Sequence, residues 1–114
     1  MESGCIFCKI IAGEIPAEKV YEDDEILAFR DIQPAAPTHV LLIPKAHIPT
    51  VDDLEAGQDE LIGRILRTAA VVARQEGLEA GYRLVTNCGR GAGQEVFHLH
   101  VHLLGGRPFG WPPG

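Results

Sequence analysis

With 114 residues, 46% hydrophobic and 23% charged, the chain has the composition of one globular domain, residues 1–114, and not of a disordered segment. Its formal charge of −6, from 16 acidic against 10 basic residues, argues against nucleic acid or an anionic membrane surface as a partner, but leaves room for one nucleotide in a local pocket. The opening MESGCIFCKII lacks the basic start of a secretory signal, no apolar run reaches membrane-spanning length, and three cysteines make no disulfide framework. A cytoplasmic protein with reduced thiols is expected.

In chain order, CIFCKIIAGEIP predicts a short N-terminal helix, with Ile6, Ile10 and Phe7, Ile11 at helical spacing and Gly13 and Pro16 ending it. KVYEDDEILAFRD predicts two short strands about an acidic turn at residues 22–25. PAAP breaks the pattern, and THVLLIP is a third strand closed by Pro44. DELIGRILRTAAVVARQEG is the clearest helix: Leu61, Ile65, Thr68 or Ala69 and Val72 form a stripe that Ile62, Leu66 and Ala73 widen, and Gly77 offers a C-cap. YRLVTN and EVFHLHVHLL alternate with period two and read as strands, joined by the glycine-rich CGRGAG, and the tail GGRPFGWPPG is irregular. The sum is an α+β domain with an antiparallel five-stranded sheet, one long helix and a short N-terminal helix. So small a chain would gain from dimerisation, which covers apolar surface.

The stretch EVFHLHVHLLGG holds three of the five histidines, at every second position. In a strand, His98, His100 and His102 would share one face, and Phe97, Leu99, Val101 and Leu103 would pack on the helix from the other. The outer two histidines would stand about 13 Å apart, too far to ligate one metal together. A neutral imidazole is a nucleophile when its other ring nitrogen donates to a fixed acceptor, and its neighbours can bind phosphoryl oxygens. The upstream Gly89, Gly91 and Gly93 offer backbone N–H groups that can approach a phosphate. Together these point to phosphoryl or nucleotidyl transfer through a histidine intermediate.

HLHVHLL resembles the His-x-His-x-His-x-x signature of the histidine-triad nucleotide-binding family. From about Cys5 to Gly114 the chain is similar to its Hint-like branch, in FCKIIAGEIPAEKVYEDDEILAFRDIQPAAPTHVLLIPKAHI, in GYRLVTNCGRGAGQEVFHLHVHLLGGR and in the ending WPPG. The resemblance implies a homodimer whose sheets join across the interface. It also implies hydrolysis of purine nucleoside 5′-phosphoramidates, AMP or GMP linked to an amine, through a covalent nucleotidyl-histidine. By the same resemblance His100 is the nucleophile, and His102 and His39 assist around the phosphate with Asn87. Gly93 and the following backbone, Val96 included, line that site. Phe7, Phe29 and Ile32 enclose the base and Asp31 meets the ribose hydroxyls. Glu95 stands where many eukaryotic relatives have a serine that bonds the leaving group, so a carboxylate takes its place here.

Cys5 and Cys8, three apart at the start of the first helix, read as a metal half-site more readily than as a redox pair. His47 and His98 are the candidates for the other half, and the Cys-Cys-His-His set resembles the structural zinc site of some bacterial members of the family. No catalytic metal is expected on that reading. Cys88, without a partner, reads as a pocket-wall or core residue. Two other readings stand beside the phosphoramidase: a zinc-dependent hydrolase using His98 and His100 as ligands, and a non-catalytic nucleotide-binding dimer.

Overall fold

The structure is a computed structural model that describes residues 4–114. Residues 1–3, part of the segment read as lacking a targeting signal, lie outside the described residues. The chain forms α1 (Ile6–Ile11), β1 (Lys19–Glu22), β2 (Ile26–Arg30), β3 (Thr38–Pro44), α2 (Asp59–Gln75), β4 (Tyr82–Val85) and β5 (Val101–Gly105). All five strands join one antiparallel sheet in the order β1-β2-β3-β5-β4. No described helix is long and apolar enough to cross a membrane.

The central strands β2 and β3 are nearly continuous apolar runs because both faces of the sheet are covered there. On one face Ile26, Ala28, Val40 and Leu42, with Val101 and Leu103, meet Ile65, Ala69, Val72 and Ala73 of α2. On the other, Leu27, Phe29, Leu41 and Ile43 meet Cys5, Phe7, Cys8 and Ile10 of α1. The period of two therefore sends alternate residues of one strand to a plain core and to the α1 side, where the chemistry lies.

The α2 stripe forms as expected through Ile65, Ala69 and Val72, but Leu66 lies beyond the arc the sheet covers and is 48% exposed. Gly77, at φ 75°, ends the helix. Its N–H donates to Arg74 and that of Leu78 to Ala73, which satisfies two of the last carbonyls. The acidic turn needs no Asn-Gly pair. Asp23 Oδ1 accepts from the N–H groups of Glu25 and Ile26, each at 2.8 Å, and Arg64 of α2 pairs with both Asp23 and Glu25.

The last strand is shorter than its alternation suggests. Pairing with β3 and β4 begins only at Val101, so residues 95–100, with His98 and His100, precede the strand. The N–H of Leu99 donates to the carbonyl of Ile48 at 2.6 Å and not to the β3 ladder. Leu99 is buried, yet it lies outside the core that Val101 and Leu103 share with α2. This segment is extended but bonded to a loop, which a period of two cannot distinguish from a ladder.

Candidate active site and metal centre

On the α1 face of the sheet a pocket of about 450 Å³ opens between α1, the ends of β2 and β3, and the segment before β5. Its lining includes His39, His100 and His102, and also Phe7, Phe29, Asp31, Ile32, Asn87, Gly93, Glu95 and Val96. Every substrate-side residue expected from the sequence is thus brought to one cavity. Phe7 and Phe29 meet edge to face at 5.4 Å in its apolar floor, while Ile32 stands at the rim, 94% exposed. Glu95 is exposed and also lines the pocket.

The sheet register explains how the histidines converge. Leu41 of β3 pairs with His102 of β5, so His39 and His102 are diagonal neighbours on the α1 face. His39 Nε2 lies 2.9 Å from His102 Nδ1. The Ala35 N–H donates to His39 Nδ1 at 2.9 Å, which places the proton of neutral His39 on Nε2, where it donates to His102. His102 Nδ1 is then the acceptor, and its Nε2 carries a hydrogen for a ligand in the pocket. Burial pushes His102 down to about 4, helped by the neighbouring His100 and His39 and opposed by Asp31. Burial likewise lowers His39, against the attraction of Asp31, whose Oδ2 is 3.5 Å from Nε2. Both rings are neutral at pH 7, in the tautomers the hydrogen bonds require.

His100 is fixed differently. Its Nδ1 lies 2.7 Å from the carbonyl oxygen of His98, and a carbonyl only accepts, so Nδ1 carries a hydrogen, and the neutral tautomer that this bond selects has its lone pair on Nε2. Thr86 Oγ1 donates to the carbonyl of His100 at 2.9 Å, and the Phe7 ring meets its imidazole edge-on at 5.2 Å. Backbone and ring are therefore both held.

The glycine-rich loop departs from its expected role. The N–H of Gly89 is taken by Gln94 Oε1 at 2.8 Å and that of Gly93 by the carbonyl of Arg90 at 3.0 Å, because residues 90–92 coil into a 3-10 turn. These donors face inward and are not free for a phosphate. Gln94, 2% exposed, also donates to the carbonyls of Pro49 and Val96, bracing the loop that carries Gly93, Glu95 and Val96. A buried glutamine between glycines and an acid carries no periodic signal, and neither does Thr86. Cys88 is exposed, not a wall of the pocket or a core residue, because its loop turns outward.

Behind the pocket, Cys5, Cys8, His47 and His98 place four ligand atoms within 4.8 Å of one another. Cys5 Sγ and Cys8 Sγ lie 3.3 and 3.6 Å from His98 Nδ1, His47 Nδ1 lies 3.3 Å from Cys8 Sγ, and the two Nδ1 atoms are 3.2 Å apart. A tetrahedral zinc with sulfur and nitrogen ligands separates its donors by about 3.3–3.8 Å, so the residues fit that ion. His98 Nε2 donates to the carbonyl of Pro44 at 2.7 Å, leaving Nδ1 unprotonated and aimed at the cluster. The donor set is closed, with four protein ligands, which is the arrangement of a structural zinc centre. His98 thus belongs with the cysteines, and His100 falls outside both groups of ligand-forming side chains among the described residues, against a His98–His100 metal pair.

The family model of the HIT domain matches residues 12–109. The chain belongs to the HIT family. A purine nucleoside phosphoramidase of Escherichia coli (strain K12) is 55% identical to this HIT protein over 111 residues, covering 96% of this chain and 93% of the relative. A 14 kDa zinc-binding protein of Zea mays is 54% identical over 115 residues, 99% of this chain and 90% of that one. The crystal structure of a HIT family hydrolase from Legionella pneumophila superposes with a TM-score of 0.95 at 59% identity, covering 97% of this chain and all of that one.

Proposed function

We propose that this HIT protein hydrolyses purine nucleoside 5′-phosphoramidates through a covalent nucleotidyl-His100. The observation that carries the reading is the His100 Nδ1–H bond to the His98 carbonyl, which orients the ring and makes Nε2 its free nitrogen beside a pocket of about 450 Å³. The 55% identical phosphoramidase and the HIT hydrolase structure support it.

In the first step Nε2 attacks the α-phosphorus in line. A nitrogen–phosphorus bond to His100 forms as the substrate P–N bond breaks, and the amine leaves with a proton taken from solvent at the open pocket, which the attacking water returns in the second step. Water then attacks the same phosphorus, breaks the bond to His100 and releases the nucleoside monophosphate. His102, held by His39 as a neutral donor, hydrogen-bonds a phosphoryl oxygen whose charge grows in each transition state, and Asn87 is a second polar partner. Phe7, Phe29 and the rim residue Ile32 receive the base, Asp31 the ribose hydroxyls, and Gly93 and Val96 line the phosphate side. Glu95 at the mouth faces the departing amine, which a carboxylate favours as a cation. The zinc centre supplies folding energy when loaded and takes no part in the bond changes.

Homodimerisation through β4 belongs to the same reading. Among the described residues, strand β4 ends the sheet with an unpaired edge that includes Tyr82, 40% exposed, whereas the other edge, β1, carries Lys19 and Glu22. Trp111 of the tail, 84% exposed, is free to meet the partner. A cytoplasmic location completes the proposal.

Intact-protein mass spectrometry after mixing with a slow adenosine phosphoramidate tests the chemistry. A nucleotidyl adduct mapped to His100, and its loss together with turnover in His100→Ala, is the expected result. Turnover at the wild-type rate in that variant would end the idea.

A further inference from the structure

The 98–99 peptide unit is held at both of its polar atoms. Its carbonyl, from His98, accepts from His100 Nδ1 at 2.7 Å, and its N–H, from Leu99, donates to the carbonyl of Ile48 at 2.6 Å. Each hold leads back to the metal centre. The His98 ring is pinned at Nε2 by Pro44 and faces the cysteines with Nδ1. Ile48 follows His47, another of the four ligands, by one residue. The cluster therefore grips the peptide plane by a side chain on one side and by a loop on the other. A third link runs through α1, where Cys8 is a ligand and its neighbour Phe7 lies 5.2 Å from the His100 ring.

We propose that the Cys5–Cys8–His47–His98 centre is a positioning device for His100: when it holds zinc, it sets the 98–99 peptide plane and thereby the orientation and tautomer of the nucleophile. The inference rests on the reading of His100 as nucleophile for its catalytic consequence, and on geometry alone for its structural one. Removing the cation leaves the Nδ1 lone pairs of His98 and His47 with only two thiols, which are weak donors, beside them. The His98 ring then has one strong anchor in place of two, and loop 45–50 loses its tie to α1. The peptide plane rotates, the His98 carbonyl leaves the line of His100 Nδ1, and His100 samples both tautomers. A nucleophile misplaced by about 1 Å loses rate by up to about 10²-fold. Nucleotide affinity changes far less, because Phe29, Leu41 and Asp31 sit on or beside β2 and β3 and supply none of the four ligand atoms.

The test compares zinc-loaded and chelator-stripped protein labelled with ¹⁵N-histidine, reading the ring nitrogens of His100 by long-range proton–nitrogen spectra. The loaded protein is expected to show one tautomer, with the hydrogen on Nδ1. The stripped protein, with folded far-ultraviolet circular dichroism, is expected to show averaged nitrogens, and its rate of adduct formation at saturating substrate is expected to fall by about 10²-fold. AMP affinity by calorimetry should move much less. Identical His100 spectra in the two forms would overturn the inference. If stripping unfolds the chain, cadmium replaces zinc: its longer bonds to sulfur widen the cluster while keeping it closed. The His100 nitrogens must then shift and the rate must drop, and their constancy would again overturn the inference. Failure of the nucleophile reading looks different, since loaded wild-type protein would then form no adduct on His100 whatever its spectrum.

Discussion

His39 Nε2 lies 2.9 Å from His102 Nδ1, and the pair is neutral because burial outweighs the attraction of Asp31. A histidine in the unfolded chain titrates near 6.5, and folded His102 at about 4. Between those values the unfolded chain takes up a proton that the folded one refuses. Stability is therefore fully present above about pH 6.5, falls as pH drops, and levels off below about 4. At about 1.4 kcal/mol per pKa unit, His102 contributes a loss on the order of 3 kcal/mol. Urea unfolding at several pH values, for wild type and His102→Gln, should show a steeper acid decline in the wild type. Parallel curves would mean that His102 is not held neutral by the fold.

The metal centre joins α1 to the loop after β3 and to the segment before β5, and so adds to the apolar contacts that α1 makes with the sheet. Cys8→Ser removes a ligand that is 1% exposed and flanked by both histidine ligands. The melting temperature of the variant is expected to fall by about 10 °C or more, as a loss of a few kcal/mol does in a chain of this length. Chelation should lower the wild type by a similar amount and leave the variant unmoved. Metal analysis should return one zinc per wild-type chain. A melting temperature indifferent to chelator would deny the centre a structural role.

Much of this was legible in the sequence because the elements obey simple periods. The α2 stripe, the apolar β2 and β3 runs and the Cys-x-x-Cys pair each announce themselves locally. The histidine row was legible as a set but not as a strand, since the alternation of residues 95–100 reflects an extended loop bonded to Ile48. The division of the row follows from long-range geometry: His98 turns under Pro44 to the cysteines, His100 is held by the His98 carbonyl, and His102 leans on His39. Spacing does not encode which backbone carbonyl a ring will meet. For the same reason the engagement of the Gly89 and Gly93 N–H groups was hidden, because the first depends on a buried side chain, Gln94, and the second on a 3-10 turn closed by the Arg90 carbonyl.

The end of β5 is packed too tightly for side chains. A Cβ on Gly105 would stand 2.6 Å from Leu78 Cδ1, and one on Gly106 2.8 Å from the Pro37 ring, at a φ of 91° that disfavours any other residue. Gly106→Ala meets a rigid ring and a strained backbone, and should cost about 2–4 kcal/mol. Gly105→Ala meets a movable side chain and should cost about 1–3 kcal/mol. The cost of Gly105→Ala should shrink in a Leu78→Ala background, where the clash is absent. Urea midpoints of the four proteins measure this, and an unchanged cost in the double variant would show that Leu78 is not the obstacle.

Gln94 makes no hydrogen bond to His100 or His102, yet it braces the loop that lines the pocket through Gly93, Glu95 and Val96. Its Oε1 accepts from Gly89, and its Nε2 donates to Pro49 at 2.9 Å and Val96 at 3.1 Å, so one side chain closes the loop on itself and onto the end of loop 45–50. Gln94→Ala leaves those backbone groups without a partner in a buried site and should destabilise the fold by about 1–3 kcal/mol. The loop carrying Gly93, Glu95 and Val96 would then be ordered only on binding, and AMP affinity should weaken by roughly tenfold for that ordering cost. Gln94→Glu keeps the acceptor for Gly89 but loses both donors, and should fall between the two. Calorimetry with AMP on the three proteins gives the ranking. Equal affinities would show that the loop holds its shape without the glutamine.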